Sequence, residues 1–147
     1  KIRLENSIDD HFDQHPKLKQ DREHLMSIPA VGQVLSREMV ALLRSRTFAY
    51  AGQSAAFIGL VPRQWESGTL KGRTSLCKNG SSQLRAKLYM AAIVAKQYNP
   101  DIRAQYQRLI KAGKTKMQAL GAAMRKLVQI CFGVIKHQCE YRSQIAT

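Results

Sequence analysis

The sequence predicts a mainly α-helical, compact domain built around one long irregular basic loop. Three observations lead there. Apolar residues recur at helical spacing along most of the chain, most clearly at Met117, Leu120, Met124, Leu127, Val128, Cys131 and Ile135. Helix start and stop residues stand where such runs begin and end: Asn99-Pro100, the Thr115/Gln118 pair, Gly59 and Gly113. From Leu60 to about Gly80 the helical period stops, and Pro62, Gly68, Gly72 and Gly80 fall within the gap, which has room for a short hairpin around Glu66 to Arg73.

Taken in order, Lys1 to about Gln14 reads as a helix carrying Ile2, Ile8 and Phe12 among charged residues. Pro16 would break that helix but suits the first position of the next, which runs to about Met26 through Leu18 and Leu25. His11 and His15 have the i, i+4 spacing of a metal pair, yet no third ligand accompanies them and no metal is expected. Pro29 and Gly32 mark a tight turn before a helix from about Gln33 to Arg44, with Val34, Leu35, Met39, Leu42 and Leu43 apolar. This helix, short hairpin and helix resemble a helix-hairpin-helix element, which offers backbone N–H groups at Gly32 to a phosphate. Ala30 stands where that pattern has glycine, and a plain interhelical turn fits equally well. Thr47 to Ile58 suits a short helix closed by a left-handed Gly59. After the loop, a helix from about Ser81 carries Leu84, Leu88, Ala91, Ala92 and Ala95 on one stripe. The next starts at the Asn99 cap, shows Ile102, Tyr106, Leu109 and Ile110, and ends at Gly113. The last opens with a Thr115/Gln118 capping box. Tyr50, Tyr98 and Tyr106 are expected to pack.

The chain has 147 residues, 44% of them hydrophobic, which suffices for one domain with a real core. No run of about 18 apolar residues exists, so no membrane span is expected. No leader pattern opens the chain, and free thiols fit a reducing cytosol, so a cytoplasmic protein is expected. It begins with Lys1 rather than Met, as a piece of a longer protein would. Cys77, Cys131 and Cys139 form no C-x-x-C pair and read as free thiols, Cys131 and Cys139 in the core.

Lys and Arg number 24 against 10 Asp and Glu, a formal net charge of +14. The excess is one-sided. Residues 1–38 carry six bases and seven acids, whereas residues 39–147 carry 18 bases and only Glu66, Asp101 and Glu140 as acids. Such a field repels itself unless a polyanion answers it, and nucleic acid is the commonest polyanion.

The irregular loop gathers the chemistry. Arg63, Lys71, Arg73 and Lys78, with Arg85 on the following helix, surround Ser67 and Ser75, and Gly68 lets the backbone approach a ligand closely. A hydroxyl among cations is what phosphoryl chemistry requires: a nucleophile, and charge to meet the transition state. A Ser-Gly dipeptide is equally a common turn, and no His or Asp stands beside it as a base. Trp65 suits stacking on a base or anchoring the loop, and Tyr89 is a further stacking candidate.

Leu25–Gly32 (LMSIPAVG), Phe57–Pro62 (FIGLVP), Ser67-Gly68, Ser75–Gly80 (SLCKNG) and Leu84–Leu88 (LRAKL) resemble, in order and spacing, the C-terminal domain of a bacterial transposase family. This is the insertion-sequence 110/116/902 family, which includes RNA-guided bridge recombinases and Piv-type DNA invertases. The resemblance spans roughly Leu25 to Arg142. It implies a composite enzyme. An N-terminal RNase-H-like domain supplies acidic residues for Mg²⁺, a helical linker follows, and the C-terminal domain contributes a serine that becomes covalently joined to DNA. Ser67 matches that nucleophile; Ser75 is the runner-up, with a structural or phosphate-contacting role. Residues 1–24 then correspond to the end of the linker and 25–147 to the C-terminal domain. The resemblance implies DNA as partner, guide RNA as a further one, a homo-oligomer through the linker, and a bacterial, nucleoid-associated location. No metal site is expected in this chain, and the fragment alone should be inactive. Two other readings stay open: a basic module that clamps DNA or guide RNA without chemistry, and a helical oligomerisation domain.

Overall fold

Lys116–His137 is apolar over much more than one narrow stripe, so it must be covered on several sides. Ala119, Leu120, Ala123, Met124, Leu127, Val128, Cys131, Val134 and Ile135 are all buried. In a computed structural model, which describes residues 2–60, 62–65, 73–76 and 81–145, this segment is the axis of the fold. Among the described residues the helices are α1 (Ile2–Gln14), α2 (Pro16–Met26), α3 (Gln33–Ser45), α4 (Ala51–Ile58), α5 (Ser82–Tyr98), α6 (Pro100–Lys111) and α7 (Lys116–His137). Strands β1 (Pro62–Trp65) and β2 (Arg73–Leu76) form an antiparallel hairpin between α4 and α5. Helices α2 to α6 all pack on α7, and α1 packs on α2. The chain is mainly α-helical, as its periodicity predicts.

Helices α5, α6 and α7 pack on one another and are joined by short turns, so they run up, down and up. Buried Ala91, Ala92 and Ala95 let α5 approach its neighbours closely. The turns carry the expected caps. Asn99 Oδ1 accepts from the backbone N–H of Asp101 (3.1 Å) and Ile102 (3.2 Å). Thr115 and Gln118 make a reciprocal capping box. Gly113 takes φ +91°, and Lys114 N donates to the Leu109 carbonyl at 3.0 Å, closing α6 in a Schellman motif.

At the opposite end of the bundle the chain after α7 folds back as a strap. Tyr141 N donates to Ser27 Oγ at 2.8 Å. The Tyr141 hydroxyl donates to the Asp101 carboxylate and lies 3.1 Å from Asn99 Oδ1. Burial first, and then that carboxylate, push the hydroxyl up to about 12. Asp101 also accepts from Ser143 Oγ (3.2 Å) and Gln144 N (3.0 Å), while Asn99 Nδ2 reaches the Pro29 carbonyl at 3.4 Å. The strap thereby ties the α2–α3 turn to the start of α6.

Within the α2–α3 turn Ala30 holds φ +89°, a left-handed conformation that disfavours any Cβ. This is the position where the helix-hairpin-helix pattern has glycine. Relief of about 1–2 kcal/mol of strain exceeds the about 0.4–1 kcal/mol that glycine's extra unfolded-state freedom costs. Ala30→Gly is therefore expected to stabilise the chain by about 0.5–1 kcal/mol, read as a higher urea midpoint with an unchanged slope. A lower midpoint would show that the turn is relaxed as it stands.

The structure corrects several expectations. Cys139 is exposed, because the left-handed Gln138 (φ 52°) ends α7 and takes the next residue off its period; Cys131 alone of that pair is in the core. Burial pushes the Cys131 thiol up to about 12, so it stays protonated and unreactive. Tyr50 and Tyr98 are 61% and 68% exposed and do not pack into the core; both flank helix ends, beyond the apolar stripe. Val34, Ile110 and Met117 are exposed near helix ends as well, and Ile8 is exposed on α1, which packs on α2. Helix α4 begins at Ala51 rather than Thr47, since the Gln53 side chain accepts from Ala49 N at 2.7 Å and stops the helix there. The short hairpin expected around Glu66 to Arg73 is present, with β1 ending at Trp65 and β2 beginning at Arg73.

Candidate nucleic-acid interface

The hairpin rises from two capped roots. Gly59 (φ +88°) closes α4 with Leu60 N bonded to the Ala55 carbonyl at 3.0 Å, and buried Leu60 plugs the chain into the core. On the return side the Ser81 side chain accepts from Leu84 N at 3.2 Å and starts α5. Between these anchors Arg63 pairs in register with Ser75, and Trp65 with Arg73. The fold thus brings Arg63 and Ser75 to one rung although twelve positions separate them in the chain. Ser67, Gly68 and Lys71 belong to the segment that joins the strands and lie outside the described residues, as does Lys78.

Arg85 sits at the base of the hairpin. Its Nη1 donates to the Ile58 carbonyl at 3.2 Å, which fixes the guanidinium between the end of α4 and the start of α5. Arg46 belongs here too, although no sequence pattern singles it out. Its guanidinium lies 4.3 Å from the centroid of Phe57, just before the hairpin root, and Phe57 in turn meets Phe48. An Arg well upstream of FIGLVP gives no local signal, because only the α3–α4 connection folds it back. Lys87 is spent on Glu38 of α3. Gly32 is the exposed N-cap of α3, in extended conformation, on the other side of the turn that holds Ala30. Tyr89 is half-buried, and its hydroxyl lies 4.0 Å from Met117 Sδ, bridging α5 and α7.

The other polar clusters are structural. His15 Nδ1 donates to the His11 carbonyl at 2.9 Å, and no group of three His, Cys, Asp or Glu stands together among the described residues. A cavity of about 340 Å³ lies at the far end between α7 and the strap, lined in part by Asp101, Lys126, His137 and Tyr141. There the carboxylate of Asp101 is already engaged by three donors. No described helix is long and apolar enough to cross a membrane.

A helical domain with a cation-bearing hairpin held between capped helix ends defines a class: a basic helical module shaped to meet a polyanion. The chain belongs to the transposase IS116/IS110/IS902 family, whose model matches residues 22–107 and so includes α3, α4, the hairpin and α5. It is 31% identical over 134 residues to the pilin gene-inverting protein of Moraxella bovis, covering 88% of this chain and 41% of that protein. It is 25% identical over 142 residues to the insertion element IS900 uncharacterized 42 kDa protein of Mycobacterium paratuberculosis, covering 95% of this chain and 35% of that one. Over 77 residues it is 35% identical to the transposase for insertion sequence element IS1111A of Coxiella burnetii, 52% of this chain and 21% of the relative. The chain thus spans about two fifths or less of the length of these relatives.

Proposed function

We propose that this chain is the DNA-binding catalytic domain of a transposase or site-specific recombinase, with Ser67 as its nucleophile. The observation that carries the reading is family membership across residues 22–107, a span that holds Ser67 and both roots of the hairpin. A relative that inverts a pilin gene and another named as a transposase both fit a protein that cuts and rejoins DNA. Ser67 Oγ attacks a DNA phosphorus, a new P–O bond forms, and the bond to a deoxyribose oxygen breaks. The hydroxyl proton leaves the serine and a proton ends on the departing oxygen. Arg63, Arg73, Lys78 and Arg85 hold phosphates or balance the charge that develops. Lys71 adds to that field, and Gly68 keeps the backbone beside Ser67 open to DNA. An acidic, Mg²⁺-binding RNase-H-like domain of the kind the resemblance implies would supply activation of the serine; within this chain Asp101 is committed to the strap. Residues 1–24 serve as the end of the helical linker and a contact for a second copy. Guide RNA would occupy the same positive field.

The test is a covalent protein–DNA adduct trapped under denaturing conditions with the longer protein and a duplex carrying its recombination site. Ser67→Ala should lose the adduct entirely and Ser75→Ala should keep it. An adduct that survives Ser67→Ala and vanishes in Ser75→Ala transfers the role to Ser75. Salt-sensitive DNA binding with no adduct in the unaltered protein makes the domain a clamp without chemistry.

A further inference from the structure

No Asp or Glu stands between Asp101 and Glu140. In the fold that acid-free stretch has a distinct geography. The Asp101 carboxylate is tied into the strap at the far end of the bundle, and Glu140 lies in the strap itself. Arg108, Lys111, Lys114 and Lys116 gather at the other end, around the α6–α7 turn, and all four are exposed. None of them has an acidic partner among the described residues. Four like charges around one turn repel one another, and no acidic side chain described in the fold offsets this.

The turn is built to hold its shape. The Gly113 N–H donates to the Ile110 carbonyl and the Lys114 N–H to the Leu109 carbonyl, both at 3.0 Å, so α6 ends without fraying. One residue later the Thr115/Gln118 capping box starts α7. Nothing lies within 4 Å of where a Cβ on Gly113 would stand, so the backbone between the lysines faces open space. The negative end of the α6 dipole and the positive end of the α7 dipole meet at the same place, so the side-chain cations set the field there.

The turn also lies on the hairpin's side of the bundle. Tyr89 meets Met117 at the start of α7, and one helical turn before Tyr89 stands Arg85, bonded to the hairpin root at Ile58. From Tyr89 back to Ser82, where α5 begins, the rise along the helix is about 10 Å. That is the axial run of about three nucleotides along one strand.

We propose that the α6–α7 turn is a second DNA-backbone contact, in which Lys111, Lys114 and Lys116, supported by Arg108, grip duplex phosphates a few nucleotides from those held at the hairpin base. It rests on the reading of this domain as DNA-binding, and it lies beyond the 22–107 span that defines the family match. Its role is positional: backbone contacts set the register of the duplex against the hairpin and carry no base specificity.

The experiment titrates a duplex of arbitrary sequence, about 30 base pairs long and so about three helical turns, by fluorescence anisotropy across a salt series. It uses the unaltered chain and a Lys111→Gln/Lys114→Gln/Lys116→Gln variant. The slope of log affinity against log salt should become less steep by about 2–3 in the variant. A Lys111→Arg/Lys114→Arg/Lys116→Arg variant should keep the original slope. All three positions are exposed, so the glutamine variant should unfold at the same urea midpoint as the unaltered chain. An unchanged slope in a folded glutamine variant overturns the proposal and leaves the catalytic reading standing. So does loss of affinity confined to single-stranded RNA with duplex binding intact. If the unaltered chain shows no salt-dependent duplex binding and the longer protein forms no adduct, the DNA-binding reading falls and this surface with it.

Discussion

Asp21→Ala should destabilise the chain by about 3 kcal/mol, lowering the melting midpoint by about 6–12 °C. Asp21 is fully buried, an unusual place for a carboxylate. It survives there because three donors converge on it. Arg44 Nε donates to Oδ2 at 2.6 Å and Nη2 to Oδ1 at 3.0 Å, the fork geometry that suits guanidinium and carboxylate. Gln138 Nε2 donates to Oδ1 at 3.2 Å, which explains why a non-glycine residue accepts a left-handed conformation at the end of α7. The Asp21 hydrogen bond, more than its charge, holds the Arg44 pKa above its ordinary value against the opposing effect of burial. Removing the carboxylate strands a cation and an amide together. The Arg44 side chain is 32% exposed and regains some hydration, so the lower end of the range for breaking a buried pair applies. A double-mutant cycle with Arg44→Met checks the mechanism: the double variant should be less destabilised than the two single losses added. Strict additivity would mean that the pair does not act as a unit. The pair joins α2 to α3, and Gln138 ties both to the end of α7.

Asn99→Ala should cost about 2–4 kcal/mol, from a lost N-cap and from buried groups left without partners. Asn99 is fully buried, and its amide spans three parts of the fold. It caps α6 through Asp101 N and Ile102 N, meets the Tyr141 hydroxyl of the strap, and donates to Pro29 in the α2–α3 turn. Alanine abolishes all four contacts. Asn99→Asp separates the effects, because it preserves the acceptor for the cap and the strap but loses the donor to Pro29. It should retain more stability than alanine in chemical denaturation. Equal losses in the two variants would assign the whole effect to Pro29.

Much of the architecture is legible in the residues alone. The α5–α6 and α6–α7 boundaries follow from Asn99, Gly113, Thr115 and Gln118, since capping involves groups within a few residues of each other. The central place of α7 follows from its wide apolar stripe. Ala30 is visible as a departure from a glycine pattern, though its positive φ is not. At the candidate site, the cations and Ser67 come from the sequence, and the pairing of Arg63 with Ser75 comes from the fold. Arg46 escapes a reading of the sequence because a cation–π contact with Phe57 leaves no periodic trace. Cys139, Tyr50 and Tyr98 depart from expectation because helical periodicity does not extend past the ends of the helices that justify it.

By itself the sequence determines the helices, their caps, the polyanion-seeking charge of residues 39–147 and the family motifs around Ser67. Those are properties of neighbouring residues or of simple sums. Only the tertiary structure decides that Asp21 is buried against Arg44 and Gln138, 23 and 117 positions away. Only it decides that Lys111, Lys114 and Lys116 gather on the hairpin's side while the Asp101 carboxylate is hydrogen-bonded into the strap at the other. Burial and charge segregation depend on which helix ends meet, and that is set by how the stripes pack on α7.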